Sequence, residues 1–301
     1  VPDLPDALTS RLTAQLADCL VEQGDVDDAL AVLEAYQPAT AAGSAELHLS
    51  TAWIRAHTGD HEGAKAAVQS AIGFALGTGD TDLCGRCFNT QGLHLAMHRP
   101  AQAIDAFRVA LTYLQGAAAV VASCNLASLL DLAGERGQAN EVLKAASDAA
   151  RTDDARQAVQ MAVGRMRLTA GELDEAEVAL ERALTLEGGS DSDRRMSRLA
   201  LAIVHHLRGD VVRAMPVYRE MVEFPICTPV AAWWEAIAWG ELGLVGQGQA
   251  RLDAVSAILS AETLQSGRAI LEGRSLPDMQ TPPRMTVAAY VAVRGTPGER
   301  S

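Results

Sequence analysis

At 301 residues, with 49% apolar and 21% charged residues, the chain has the make-up of a folded globular protein. Aromatics are only 4% while alanine is abundant, which argues against a β-sandwich or barrel, whose strands want β-branched and aromatic side chains. A formal net charge of −13 without any basic run argues against direct nucleic-acid binding, which needs clustered Lys and Arg against phosphates.

Val1-Pro2-Asp3-Leu4-Pro5 carries neither the basic nor the apolar stretch of a signal peptide, and the missing initiator Met points to a fragment of a longer protein. No apolar run approaches the roughly 20 residues that span a bilayer. A two-helix unit then recurs. Leu16-Ala17 leads into the turn Gly24-Asp25, and Ala29 opens a second helix reaching Leu33. Ala52, Gly59-Asp60, Ala64 and Ala71 repeat the frame. In the third unit Gly92 takes the small slot of the first helix, the turn falls at His98 without a glycine, and Ala103, Phe107 and Ala110 carry the second helix. Leu126-Ala127, Gly134, Ala139 and Ala146 form the fourth unit. The fifth runs through Val159, Val163 and Met166 to Gly171, with Ala176, Leu180 and Ala183 on one helical face behind it. The sixth spans Ala202, Gly209-Asp210, Ala214 and Met221, with Pro216 expected in an early turn. In the seventh, Trp234, Ile237 and Ala238 precede a loose turn at Val245-Gly246, with Ala250 as the small residue. Successive turns lie 35, 39, 36, 37, 38 and 36 residues apart. A fixed period in this range is the mark of a helical solenoid.

A small residue in the middle of the first helix, a Gly-Asp turn, then Ala, a large residue and Ala at i, i+4 and i+7 resemble the tetratricopeptide repeat over about residues 8 to 260. The spacing is nearer 37 than that family's 34, so the connections are longer. The resemblance implies an all-α, right-handed α-solenoid of about seven helix-turn-helix repeats over residues 1–262. Residues 263–301 are expected to form a C-terminal capping segment or tail, since Ser275-Leu276-Pro277-Asp278 and Thr281-Pro282-Pro283 cannot continue helices. The apolar run Met285 to Val293 lies between these breakers and Gly295-Thr296-Pro297-Gly298.

Catalytic or metal-binding motifs are weak. Cys84-Gly85-Arg86-Cys87 is a lone C-x-x-C, where structural zinc wants four ligands. An odd set of cysteines (Cys19, Cys84, Cys87, Cys124, Cys227) reads as reduced and cytoplasmic, the paired ones as small buried hydrophobes. His57/His61 straddle a turn and His94/His98 lack a third ligand. No phosphate-binding loop or nucleophile elbow appears, so no enzyme, cofactor or metal is expected.

In repeats of the family it resembles, the first helix of each hairpin lines a concave wall. Carried onto this chain, the wall begins with Arg11, Asp18 and Leu49 and continues with Trp53, His57, Arg86, Asn89, Leu93, Asn125, Ser128, Asp131, Arg165, Ile203, His206 and Trp239. Asn89 and Asn125 stand where the family holds a peptide backbone, and Arg86 and Arg165 suit a carboxylate or phosphate. The resemblance thus implies a non-catalytic module holding a protein or peptide, as in long-period arrays of bacterial transcriptional regulators and signalling proteins. The alternative is an effector-sensing domain of such a regulator, which predicts an enclosed apolar cavity near the tryptophans. A homodimer through an end repeat or the tail is a further expectation, with Trp233, Trp234 and Trp239 near one end.

Overall fold

A computed structural model describes residues 5–96, 99–224, 227–259 and 261–274. The expected third turn at His98 and the apolar run from Met285 to Val293 lie outside the described residues, as does the side chain of His57. Fifteen α-helices and no strand occur among the described residues. They are α1 Asp6–Gln23, α2 Val26–Ala35, α3 Ala41–His57, α4 His61–Leu76, α5 Thr81–Leu95, α6 Pro100–Tyr113, α7 Gly116–Leu132, α8 Arg136–Ala149, α9 Asp153–Thr169, α10 Leu173–Thr185, α11 Asp191–Leu207, α12 Val211–Met221, α13 Thr228–Glu241, α14 Val245–Ala254 and α15 Ala261–Leu271. The first fourteen are seven hairpins in series, as the repeats predict.

Most of the hairpins share one local device. Gly24, Gly134, Gly171 and Gly209 end their helices in the left-handed region, which a residue without Cβ enters at no steric cost. Their N–H groups and those of the next residue bond back to the last turn, as in Asp25 N–H to the Leu20 carbonyl at 2.9 Å. Asp60 and Asp210, which follow such glycines, cap the next helix with their carboxylates on the N–H of Gly63 and Arg213, whereas Asp25 makes no side-chain cap. Seven residues before the glycine, a small side chain lies at the helix crossing: Ala17, Ala52, Ala127 and Ala202 are all buried. Five residues after it lies a second, in Ala29, Ala64, Ala139, Ala176 and Ala214, each 0% exposed. Small residues at both crossing points let the two backbones approach closely.

The seventh hairpin departs from the expected register. Its turn glycine is Gly243, at φ 82°, and Val245 already begins α14. The buried small residue is Gly248, where a Cβ would stand 2.6 Å from the Ala236 carbonyl, while Ala250 is exposed. Gly209 to Gly243 therefore spans the 34 residues of the tetratricopeptide repeat. Pro216 is not in a first turn but six residues into α12. The carbonyl it leaves without a donor belongs to Val212, which is 76% exposed, so water can serve it.

The chain divides into two compact units, residues 1–129 and 130–301. In the first, small clusters sit at successive hairpin contacts, such as Ala17, Val21, Ala29, Leu33 and Ile54, and Leu83, Cys84 and Cys87 with Ala71 and Ala75. In the second, one continuous core runs from Leu168 to Leu271 and holds Trp233, Trp234, Tyr218 and Met221, all 0% exposed. Helix α15 covers the last hairpin: the Trp233 indole N–H donates to the Thr263 carbonyl at 3.0 Å, and Gly267 lies flat against that ring. Trp233 and Trp234 are thus enclosed and offer no exposed surface for a dimer contact.

Asp6, in the first turn of α1, ties that helix to the approach to α3. Its carboxylate accepts from the Tyr36 hydroxyl and the Ala39 N–H, both at 2.8 Å, from the Thr40 N–H at 2.9 Å and from the Thr40 hydroxyl. These bonds, the Thr40 hydroxyl first, lower its pKa to about 2. A depressed carboxylate stabilises the fold above its unfolded pKa of about 3.9, and the contribution is lost as pH falls towards 2. Asp6→Asn is expected to melt below the wild type at pH 7, with the gap closing between about pH 4 and pH 2 in thermal melts. The small slots predict a sign contrast. A Cβ on Gly92 would meet the enclosed Phe107 ring at 2.6 Å, whereas one on Gly73, in mid-α4, meets nothing within 4 Å. Urea denaturation is expected to show Gly92→Ala losing about 1–2 kcal/mol by overpacking and Gly73→Ala gaining about 0.5–1 kcal/mol from helix propensity.

Candidate functional site

In the first unit, α1, α3, α5 and the start of α7 present the expected wall as a polar ladder. Asp18 on α1 accepts from the Ser50 hydroxyl on α3 at 2.7 Å. Arg86 on α5 forks onto Glu46 of α3, with one Nη–Oε distance of 3.0 Å, and its Nε stands 3.3 Å from Asp82. Burial alone would lower the Arg86 pKa, but these carboxylates raise it, so the guanidinium stays charged and engaged by its own chain. Asn89 on α5 and Asn125 on α7 meet directly, Nδ2 of Asn125 donating to Oδ1 of Asn89 at 3.2 Å. That single bond uses one donor and one acceptor, leaving the N–H pair of Asn89 and the carbonyl of Asn125 their remaining bonding capacity. Beside them Trp53 is half-buried, Leu93 is 47% exposed, and Ser128 donates to the Cys124 carbonyl at 2.9 Å.

In the second unit the expected wall is mostly structural. Ile203 is 0% exposed in the core. His206 is also fully enclosed: Nδ1 lies 3.2 Å from the Tyr218 hydroxyl, Nε2 lies 3.3 Å from Glu241, and the ring stands edge-on to Trp234 with centroids 5.0 Å apart. Neither can face a groove, because α11 is packed on both sides and the helical period turns these positions inward. Asp131 accepts from the Thr169 hydroxyl at 3.1 Å and lies 3.8 Å from Arg136. Arg165 is half-buried on α9. Trp239 keeps a partly exposed ring, with the Arg219 guanidinium 5.0 Å from its centroid. Arg219 and Arg251 flank the buried Glu235, Arg251 at 2.7 Å.

Sequence reasoning missed two hollows of the first unit, which lie between successive second helices rather than on the first-helix wall. One, about 510 Å³, lies between α2 and α4 with α3 as its floor, on the side of α3 that carries Ser44, His48, Thr51 and Arg55. There His48 stacks on Phe74 with centroids 5.6 Å apart, and burial, then the charge of Arg55, hold its pKa below the usual value. The other, about 430 Å³, lies between α4 and α6 over the end of α5. The 44, 48, 51, 55 spacing is a helical stripe and was legible. Nothing in one sequence marks it as the face left uncovered.

The thiols are inert by placement. Burial pushes Cys87 up to about 12 and Cys227 to about 11, and raises Cys84 as well. Burial therefore disfavours the thiolate at both positions of the 84/87 pair.

No family model and no curated protein matches the chain. Among solved structures, a Rap protein complexed with Competence and Sporulation Factor aligns over 96% of this chain and 87% of its own, with a TM-score of 0.53 and 11% identity. The type IV pilus biogenesis factor PilW aligns over 71% and 92%, with a TM-score of 0.46 and 19% identity. A tetratricopeptide repeat protein from Parabacteroides merdae ATCC 43184 aligns over 76% and 86%, with a TM-score of 0.44 and 16% identity. Similarity at this level is one of fold. Together with the seven hairpins, six of them turning on a glycine, the fold shared with Rap makes the chain an all-α array of tetratricopeptide-repeat type. Cys19 is the one exposed thiol among the described residues. Titration of the native chain with a disulfide reagent is expected to show one fast thiol and four that react only on unfolding.

Proposed function

We propose that the chain is a non-catalytic interaction module that holds a peptide segment of a protein partner against the first-helix face of its first unit. The observation that carries this reading is the Asn89–Asn125 pair. Its two amides sit side by side, half-exposed, and keep a donor edge and an acceptor edge available together, which is the complement of one peptide group. Trp53 on α3 and Leu93 on α5 supply apolar surface on neighbouring first helices. Arg11, Glu46, Arg86 and Asp82 neutralise one another along the wall, so binding there rests on backbone hydrogen bonds and apolar contact rather than on charge. The shared fold with Rap, solved with a bound factor, is in keeping with this use of a helical array. The setting we propose is bacterial signalling or regulation in the cytoplasm, supported by the reduced cysteines and an arginine-rich, lysine-poor composition.

A random-peptide display screen against the full chain is expected to yield binders whose affinity falls about tenfold or more in the Asn89→Ala/Asn125→Ala double variant, the loss of hydrogen bonds worth roughly 1 kcal/mol each. The melting temperature should be nearly unchanged. Selected peptides that bind the double variant as tightly as the wild type would remove the basis for this reading.

A further inference from the structure

We infer that the hollow between α4, α5 and α6 is a recognition site for a carboxylate-bearing ligand, of the size of a short dicarboxylate. It lies on the second-helix side of the unit and stands apart from the proposed peptide face, so each can fail without the other.

The argument begins with charge. The chain carries −13 overall, and only two of its residues are lysines, Lys65 and Lys144. Yet Lys65, Arg99, His61 and His94 converge on this one hollow, against the single carboxylate of Glu62. The two imidazole rings of its lining are tilted to one another, with centroids 6.5 Å apart. Lys65 lies 3.5 Å from Glu62, a solvent-exposed pairing of small worth. Arg99 has no carboxylate partner among the described residues. Its backbone is nonetheless anchored, the N–H donating to the Leu95 carbonyl at 2.7 Å as the N-cap of α6.

The neighbouring hollow shows that this is not a property of the architecture. Between α2 and α4 the arginine of the hollow, Arg55 of α3, lies 3.8 Å from Asp60 and 4.0 Å from Glu34, and the histidine is stacked on Phe74. In the α4–α6 hollow the arginine, Arg99, has no such carboxylate beside it among the described residues. This hollow also receives the N-termini of two long helices, α4 beginning at His61 and α6 at Pro100, whose dipoles favour negative charge.

Size and lining narrow the ligand. About 430 Å³ is within the range of small-molecule sites. Val68 and Leu95 give a short apolar stretch, and Gln69, Gln91 and Gln102 supply amides able to donate to carboxylate oxygens or bond a bound water. Two anionic ends joined by a few methylenes match cationic groups set around an apolar strip. The carboxylates come either from a free diacid or from acidic side chains of a bound polypeptide.

The test is calorimetry and thermal shift of the full chain at low ionic strength with glutarate, with the neutral isostere glutaramide, with inorganic phosphate and with an acetylated Glu-Glu peptide amide. Glutarate or the peptide is expected to bind and raise the melting temperature, glutaramide and phosphate to do so at least tenfold more weakly. The tighter of the two carboxylate probes names the source. Lys65→Gln and Arg99→Gln, both at accessible positions, should each weaken binding about tenfold or more while leaving the ligand-free melting temperature in place. Binding of neither carboxylate probe, equal response to phosphate or glutaramide, or full retention by the Lys65→Gln/Arg99→Gln double variant would overturn the inference.

Discussion

The fold depends on how closely two antiparallel helices can cross. The slots nearest the crossings hold the smallest side chains, all buried: Ala17 and Ala29, Ala52 and Ala64, Gly164 and Ala176, Ala202 and Ala214. The larger residues are then displaced to the flanks, where they meet the next hairpin rather than their own. Phe107 against Gly92 and Leu180 against Gly164 show the reciprocal case, a big side chain lodged where its partner has no Cβ. Alanine burial itself contributes little per residue. Its role is geometric, since it brings Leu, Ile and aromatic side chains from successive helices into contact, each worth about 1.5–3 kcal/mol when enclosed.

This constraint is why the fold was legible. A glycine ending one helix, an aspartate capping the next and an alanine at fixed offsets on either side are local demands of backbone geometry, and they recur at readable intervals. The register failed only in the last hairpin, where glycine occupies the small slot. Gly248 replaces the alanine that marks the position elsewhere, and Ala250, two residues on, imitates it. Similarly, Pro216 looked like a first-turn residue because proline is disfavoured deeper in a helix, but its orphaned carbonyl faces water and the penalty is modest.

The binding surface was legible only in part. Asn89 and Asn125 were placed together by the repeat frame alone, because equivalent slots of adjacent first helices must neighbour one another. His206 and Ile203 occupy equivalent slots too, yet the core of the second unit closes over them. Whether a slot is wall or core depends on what packs above it, and a repeat pattern does not encode that. The two hollows between second helices escaped for the complementary reason. They are spaces defined by helices diverging, whereas the pattern records only where helices meet. Which of them is charged rests on single residues, Asp60 and Glu34 beside Arg55 against none beside Arg99.

The placement of the indoles has an optical consequence. Of the four tryptophans, Trp53 alone belongs to the first unit, while Trp233 and Trp234 sit edge to face with centroids 5.2 Å apart in the core of the second, with Trp239 near them. Intrinsic emission from this chain is therefore weighted to residues 130–301 and reports only faintly on the half that carries both proposed sites. Dichroism counts helix in both halves evenly. The two signals followed together on heating distinguish a chain that melts as one body from one whose halves let go separately.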